Sequence, residues 1–223
     1  MAKTACIAGA SGLVGGELLK QALTLGDYSQ ITVLVRKELP IRHPKLRQAV
    51  VDYERLDEYR DLLGADDVFC CLGTTIKVAK TREAFELVDR HYPLALAQLA
   101  KEQDCARYLV ISAMGANPQS GIFYNRVKGT LEAELRELRL PELHLFRPSL
   151  LLGDRGEFRF GEKLGAALMR ATAFAMAGPL RPYKAIHART VASAMLRAAR
   201  SSVPGTHVYA SNRIAELGDT RRH

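Results

Sequence analysis

The chain has 223 residues, of which 48% are hydrophobic and 25% are charged, and this composition excludes a disordered or collagen-like protein. Its 32 basic and 24 acidic residues give a net charge of +8, which favours anionic partners such as phosphates or acidic metabolites. No zinc-finger spacing and no aromatic RNA-binding motif accompanies this charge, so we expect no nucleic-acid binding.

The cysteines and the apolar stretches indicate in which cellular compartment the protein is expected. The four cysteines lie in or beside apolar runs without CxxC spacing, which predicts buried free thiols in a reducing compartment: Cys6, Cys70, Cys71 and Cys105. The first residues show no secretory signal. The most apolar late stretch, residues 164–180, contains Arg170 and is too short to span a bilayer. These features predict a cytoplasmic protein without membrane insertion, and the spacing of the six histidines predicts no metal site.

Short apolar runs alternate with longer helical patterns along the chain. The predicted elements are a strand at 4–8, a helix at 13–25, strands at 31–35, 47–51 and 68–72, a helix at 82–104 broken near Pro93, a strand at 107–112, a helix at 124–138 and a strand at 143–146. Further elements are helices at 164–177 and 190–200 and a strand at 207–210. This alternation predicts a single α/β domain over 1–223, a doubly wound parallel sheet of the Rossmann-like type. Residues from about 153 to 190 are expected to form a small substrate-side cap.

A glycine-rich turn follows the first strand directly and begins the first helix. Its residues are Gly9, Ala10, Ser11, Gly12, Leu13, Val14 and Gly15. Glycines allow a tight turn and close backbone approach, while a helix N-terminus offers N–H donors to a pyrophosphate. The GxxGxxG spacing departs from the usual GxGxxG pattern, and a purely structural turn is the alternative. At this position the turn predicts dinucleotide binding.

The residues after the second strand indicate which dinucleotide is preferred. Arg36 and Lys37 stand where an NAD-selective protein usually has an acid for the ribose 2′-hydroxyl. Cations at this place suit a 2′-phosphate, because a guanidinium binds phosphate with two hydrogen bonds. NADP(H) is therefore favoured over NAD(H), although Glu38 lies close enough to keep NAD(H) open.

A tyrosine and a lysine four residues apart suggest acid–base chemistry. Tyr124 and Lys128 share one face of the predicted helix, and Ser112 ends the strand before it. An ammonium next to a phenol lowers the pKa of the phenol, which would allow Tyr124 to exchange a proton near neutral pH. Ser112 would bind a substrate carbonyl. The alternative is that Tyr124 and Lys128 are ordinary residues of a charged surface helix.

Six segments occur in this order along the chain: GASGLVGGELL, DVFCCLGTT, VDRHYPLALAQLAK, VISAMGA, FYNRVKGTLEAEL and LFRPSLLLGDR. Together they resemble the atypical short-chain dehydrogenase/reductase superfamily, and most of all its Tat-interacting protein family and bacterial relatives. The similarity covers most of the chain from Ala5 to about Arg155.

This resemblance implies an NADP(H)-binding fold with a catalytic triad of Ser112, Tyr124 and Lys128. It also implies that Lys128 reaches the nicotinamide ribose. The remaining residues implied to contact the cofactor are Leu72, Gly73, Thr74, Pro148 and Ser149. Asp52 is a further candidate on other grounds, because it lies just past the carboxyl end of a predicted strand, where ligands of open parallel sheets bind. Two departures concern proton delivery: Cys70-Cys71-Leu72-Gly73 replaces the Asn-Ala-Gly signature, and no Asn occurs between Glu83 and Asp104.

Sequence and resemblance together predict an NADP(H)-dependent oxidoreductase that acts on a carbonyl or alcohol of a small-molecule substrate, as a monomer or homodimer. The alternative is an NADPH-binding regulatory protein without turnover that controls a partner, because a fold that binds a dinucleotide need not perform chemistry.

Overall fold

The computed structural model describes residues 3–153 and 184–219. The chain begins with β1 (Lys3–Ala8), α1 (Leu13–Thr24), β2 (Tyr28–Val35), β3 (Leu46–Val50), a 3-10-helical segment (Tyr53–Leu63) and β4 (Asp67–Cys70). It continues with α2 (Ile76–Ala79), α3 (Arg82–Glu86), a π-helical turn (Leu87–His91), α4 (Tyr92–Glu102), β5 (Arg107–Ile111), α5 (Phe123–Glu137) and β6 (Glu142–Arg147). The last elements are β7 (Leu151–Leu152), β8 (Ile186–His187), α6 (Ala188–Arg200), β9 (Gly205–Ala210) and α7 (Ser211–Gly218).

Seven of the strands form one parallel sheet in the order β3-β2-β1-β4-β5-β6-β9. The chain winds outward from β1 in one direction and from β4 in the other, which confirms the predicted doubly wound fold. Ligands of such sheets bind at the carboxyl ends of the strands, where the winding direction changes. The turn after β1 and the loop after β4 lie at this point.

The five central strands of the sheet, β2, β1, β4, β5 and β6, are largely buried on both faces. Successive residues of β1 alternate between two apolar cores: Ile7 packs in one core, together with α1 and α6, while Cys6 and Ala8 pack in the other, together with α4 and α5. This double burial explains why the strands read as continuous apolar runs rather than as alternating patterns.

The predicted helix at 82–104 is helical from Arg82 to Glu102, with a π-helical turn inside it in place of a break. This turn lies between α3 and α4, and Pro93 lies in the first turn of α4. Proline has no N–H, and its ring conflicts with the carbonyl four residues earlier, which for Pro93 belongs to Asp89. The wider backbone of the π-helical turn, which contains Asp89, is where this conflict is accommodated.

Several elements were not predicted from the sequence: the segment Tyr53–Leu63, α2, β7, β8 and α7. The predicted helix at 164–177 and most of the predicted cap at 153–190 lie outside the described residues. The described residues of the predicted cap include β8, which pairs in parallel with β7, just before the predicted cap, as a separate two-stranded sheet.

The four cysteines are unpaired, as predicted, and burial raises the pKa of Cys6 and Cys105 to about 12. Cys70 and Cys71 contribute to opposite apolar cores. No group of side chains within 3–153 and 184–219 is arranged to hold a metal ion. In the same residues, no helix combines the length and apolar character needed to cross a membrane.

A buried polar network joins the amino ends of the strands, opposite the ligand-binding edge. Arg107 Nε donates to Asp67 Oδ1 over 2.5 Å, and Tyr28 donates its hydroxyl to Asp67 Oδ2 over 2.7 Å. Glu142 receives a long contact from Arg107 and also faces His144, whose Nε2 lies 3.4 Å from Glu142 Oε2. Each of these buried charged side chains has a partner of opposite charge or a hydrogen bond. The pairing avoids the cost of several kcal/mol that an unpaired buried charge would carry.

The network predicts a loss of stability in acid. Burial lowers the pKa of His144 to about 4, whereas an unfolded histidine titrates near 6.5. Between these values the unfolded chain binds more protons than the folded chain, so the free energy of unfolding falls as the pH falls. From pH 7 to pH 4.5 this residue should account for about 2–3 kcal/mol of that fall. Replacing His144 by glutamine (His144→Gln) should remove this part of the fall in the free energy of unfolding. Urea unfolding at both pH values measures it.

Exposed His187 provides the matched control. The His187→Gln variant should lose stability in acid as steeply as the unmodified protein. An equally steep loss in His144→Gln would show that the buried imidazole does not stay neutral in the folded state.

Candidate functional site

The turn after β1 depends on its glycines. Gly9 has φ +86°, and a Cβ added there would lie 2.6 Å from the carbonyl oxygen of Cys71. A Cβ on Gly15 would lie 2.2 Å from the carbonyl oxygen of Gly9. The N–H of Gly12 donates to this same Gly9 carbonyl over 2.9 Å and closes the turn. The chain therefore folds back tightly before α1 begins.

The N-terminus of α1 fits an anionic group. Gly12 is its N-cap residue, so no side-chain hydrogen bond caps the helix, and the first turn contains no acidic residue. The first N–H groups of a helix together with its dipole favour a phosphate. Ala10 is buried below the turn, and Leu13 and Val14 start the helix. Ser11 is exposed beside it.

Arg36 and Lys37 follow β2 directly and are both exposed. They therefore lie at the ligand-binding edge of the strand next to β1. Glu38, the acid that kept NAD(H) open, lies 3.3 Å from the guanidinium of Arg42 in an exposed ion pair. Asp52 follows β3 and accepts a hydrogen bond from the backbone N–H of Glu54 over 3.0 Å, so its side chain caps the 3-10-helical segment.

The loops after β4 and β6 complete the edge of the sheet. Leu72, Gly73 and Thr74 follow β4, and the N–H of Thr74 donates to Asp89 Oδ2 over 2.8 Å. Pro148 and Ser149 follow β6. The Pro148 carbonyl accepts from the N–H of Met114 over 3.1 Å, which ties the loop after β6 to the loop after β5.

The side chain of Ser149 makes two hydrogen bonds within the protein. It donates to the carbonyl of Lys184 and accepts from the hydroxyl of Ser211 over 2.9 Å. Gly153, which follows β7, lies against the side chain of Leu13, so close that an added Cβ would collide with it. The segment after β6 therefore packs beside the glycine turn.

Tyr124 and Lys128 lie in the first two turns of α5, where the ammonium of Lys128 meets a carboxylate. Lys128 Nζ lies 2.8 Å from Asp89 Oδ1, and the two side chains are 3% and 2% exposed. Burial alone would lower the pKa of Lys128, but the negative charge of Asp89 outweighs burial and raises the pKa above its usual value. The alternative of an ordinary surface lysine is therefore wrong.

The expected acidification of Tyr124 is not found. Burial raises the pKa of its phenol, and the nearby Asp89 carboxylate raises it further, although Lys128 opposes both effects. The ring packs against Phe85 with a centroid distance of 5.7 Å. Burial therefore holds the pKa of the phenol above its ordinary value near 10, so the phenol keeps its proton at neutral pH.

Ser112 follows β5 and is buried, and it donates its hydroxyl hydrogen to Glu132 Oε1 over 2.6 Å. A serine has a single O–H to donate. Glu132 also receives a hydrogen bond from Arg147 Nε over 2.8 Å and lies 3.2 Å from Arg136 Nη2. Sequence reasoning assigned this hydroxyl to a substrate carbonyl, whereas here its hydrogen is bonded to a carboxylate.

Sequence reasoning missed Asp89 and Glu132 as members of the site. A usable signal exists for Glu132, because Tyr124, Lys128 and Glu132 recur at a spacing of four and so share one face of α5. For Asp89 the sequence holds only one of several charged residues in a helical stretch, with nothing that singles it out. The ion pair itself joins two elements that are distant in sequence.

The parallel sheet, the glycine turn and the open N-terminus of α1 define a nucleotide-binding α/β protein. A family model described as NAD(P)H-binding matches residues 9–147. Rat "Protein HTATIP2" is 42% identical over 166 residues, which cover 73% of this chain and 68% of the relative. The chain belongs to the NAD(P)H-binding family, and its resemblance to the atypical short-chain dehydrogenase/reductase superfamily and its Tat-interacting protein family is confirmed.

A solved structure described as "MoeE5 in complex with UDP-glucose and NAD" matches 96% of this chain and 80% of its own, with a TM-score of 0.72 and 15% identity. At this identity the match supports the fold alone. A yeast relative, "Protein FMP52, mitochondrial" of Eremothecium gossypii, is 33% identical over 153 residues, 68% of this chain and 67% of the relative.

The name of this yeast relative contradicts the predicted cytoplasmic location, which is wrong. Unpaired cysteines argue against oxidising compartments such as the secretory pathway, but they do not distinguish the cytosol from a mitochondrion.

Proposed function

We propose that the protein is an NADP(H)-dependent oxidoreductase that reduces a carbonyl of a small-molecule substrate or oxidises the corresponding alcohol. The observation that supports this most directly is the arrangement of Tyr124, Lys128 and Asp89, a phenol and an ion pair at the ligand-binding edge of the sheet. The nicotinamide of the bound cofactor would supply or accept the hydride.

The residues proposed to bind the cofactor lie at the carboxyl ends of the strands. The N-terminus of α1 would bind the pyrophosphate, and Arg36 and Lys37 would bind the adenosine 2′-phosphate. The loops with Leu72, Gly73 and Thr74 and with Pro148 and Ser149 would enclose the rest, with Asp52 near the adenosine. Lys128 would reach the nicotinamide ribose.

Tyr124 would transfer the proton. Because burial keeps its phenol protonated, Tyr124 is suited to donate a proton to a carbonyl oxygen that is being reduced. The charge of Lys128 would stabilise the phenolate that remains after the transfer. Ser112 would have to turn its hydroxyl from Glu132 to donate to the substrate oxygen, so we propose that substrate binding includes this exchange of partners.

The experiment is to follow NADPH oxidation by the purified protein against a panel of aldehydes, ketones and quinones. Turnover with any compound supports the enzyme. Binding of NADPH without turnover across the panel, together with a stable partner protein in a pull-down, supports the second candidate, a regulator that binds the cofactor. The Ser112–Glu132 hydrogen bond favours this second candidate, because it occupies the group expected to bind substrate.

The choice of cofactor gives a separate prediction. Replacing Arg36 and Lys37 together by alanine should weaken NADPH binding at least about tenfold, because even one hydrogen bond to a charged group contributes about 1.5–3 kcal/mol. NADH binding should change little, because NADH lacks the 2′-phosphate. Calorimetric titration with both nucleotides measures this.

The exposed Arg42→Ala variant is the matched control, since it removes a cation from the same loop outside the proposed phosphate site. Equal loss of NADH and NADPH affinity in the double variant would contradict the assignment of Arg36 and Lys37.

A further inference from the structure

We propose that Asp89 is a positioning residue, which holds the Lys128 ammonium charged and in place and joins it to the cofactor-facing loop at Thr74. This inference rests on the proposed function, because it gives Lys128 its role at the site. The chain has no asparagine between Glu83 and Asp104 for a proton relay, and Asp89 is the polar group of that helical stretch that reaches Lys128.

The two carboxylate oxygens of Asp89 serve two different elements. Oδ1 lies 2.8 Å from the Nζ of Lys128 on α5, and Oδ2 accepts the backbone N–H of Thr74 over 2.8 Å. One side chain therefore sets the distance between the helix that carries Tyr124 and the loop after β4. Gly73 borders the same carboxylate, since a Cβ added there would lie 3.5 Å from Oδ1.

The backbone at Asp89 supports a specialised role. Asp89 lies in the π-helical turn Leu87–His91, and such turns occur frequently at functional sites. The turn changes the direction in which side chains leave the helix. Arg90, the next residue, forms an ion pair with Glu134 on α5, so the turn is fixed to α5 at two points.

Burial makes the carboxylate necessary. A buried ammonium without a counter-charge gives up its proton, because the charged form is poorly solvated. The groups that face Lys128 are Asp89 on the π-helical turn, Tyr124 on its own helix and Cys70 on β4. Of these three, only Asp89 contacts the ammonium with a negative charge at neutral pH, because the phenol and the thiol are both held protonated by burial.

The test replaces Asp89 by asparagine (Asp89→Asn), which keeps an oxygen for the N–H of Thr74 and removes the charge. In protein labelled with ¹³C at lysine Cε, the Lys128 signal, assigned through Lys128→Arg, should not titrate up to pH 10. In Asp89→Asn its midpoint should fall by at least about two pH units. NADPH affinity in the variant should then drop about tenfold between pH 7 and pH 9, a drop that the unmodified protein should not show.

The exposed Glu83→Gln variant, which removes an acid from α3, is the matched control and should leave both readouts unchanged. An unchanged Lys128 titration in Asp89→Asn would overturn the proposal. If Asp89→Asn does not fold, the comparison is made on a Lys128→Met background. There, Asp89→Asn should leave NADPH affinity unchanged, and a further loss would overturn the proposal.

These readouts separate this inference from the proposed function. The Lys128 titration and NADPH binding require no substrate, so they test Asp89 even if the protein turns nothing over. Suppose that the unmodified protein turns over substrate and that Lys128 titrates in Asp89→Asn as it does in the unmodified protein. This result would support the proposed oxidoreductase activity and contradict the proposed role of Asp89. If the protein turns over substrate, the activity of Asp89→Asn should fall at alkaline pH, where its Lys128 loses its proton, while the unmodified protein stays active there.

Discussion

Replacing Tyr124 by phenylalanine should lower turnover by about 10²–10⁴-fold, which is the usual contribution of a general acid or base. The substitution removes only the hydroxyl, so the ring still packs against Phe85 and the fold is retained. NADPH affinity should stay within about twofold, because the cofactor is bound mainly by the glycine turn and the loops around it. Calorimetry for binding and NADPH oxidation for turnover measure the two effects separately.

The matched control is Tyr59→Phe, a partly buried tyrosine that lies in the segment Tyr53–Leu63 and not on α5. Its turnover should equal that of the unmodified protein. If Tyr124→Phe reduces a carbonyl at the original rate, the phenol does not supply the proton and the proposed chemistry is excluded.

The second large effect concerns two adjacent glycines of α1. Gly15→Ala should abolish NADPH binding and lower the free energy of unfolding by about 1–3 kcal/mol, because the new methyl group would lie 2.2 Å from the carbonyl oxygen of Gly9. Both atoms belong to rigid backbone, so the helix must move away from the turn. This movement would disturb the N–H groups proposed to bind the pyrophosphate.

Gly16→Ala is its control, because the added Cβ there meets the Ala10 carbonyl oxygen at 3.4 Å, an ordinary contact. Alanine is the better helix former by about 1 kcal/mol, so this variant should be as stable as the original or more stable. Thermal unfolding and calorimetry distinguish the pair. Equal NADPH affinity in both variants would show that the turn after β1 does not bind the cofactor.

The sequence predicted the fold well, because strands buried on both faces leave an unmistakable pattern. Runs such as Ile31–Val35 are apolar at every position except Thr32, which is also buried, and Gly9 follows β1 where a sharp turn is required. These features depend on neighbours in sequence or on burial alone. The π-helical turn before Pro93 could not be predicted in the same way. A proline indicates that a helix is perturbed, but it does not specify which backbone conformation results.

The site was predicted only in part, since its electrostatics depend on pairs between distant elements. Tyr124 and Lys128 are recognisable from their spacing, but the pKa of the phenol depends on burial and on Asp89, 35 residues earlier in the chain. The hydrogen of Ser112 is bonded to Glu132 on another element. Spacing along one helix does not contain this information.

The small parallel pair of β7 and β8 has a consequence for the relation between distant parts of the chain. Leu151 pairs with Ile186 and Leu152 with His187, so the pair connects the segment after β6 to the start of α6. The entropic cost of bringing two such strands together rises only with the logarithm of the number of residues between them. The pairing is therefore compatible with relatives in which that number differs.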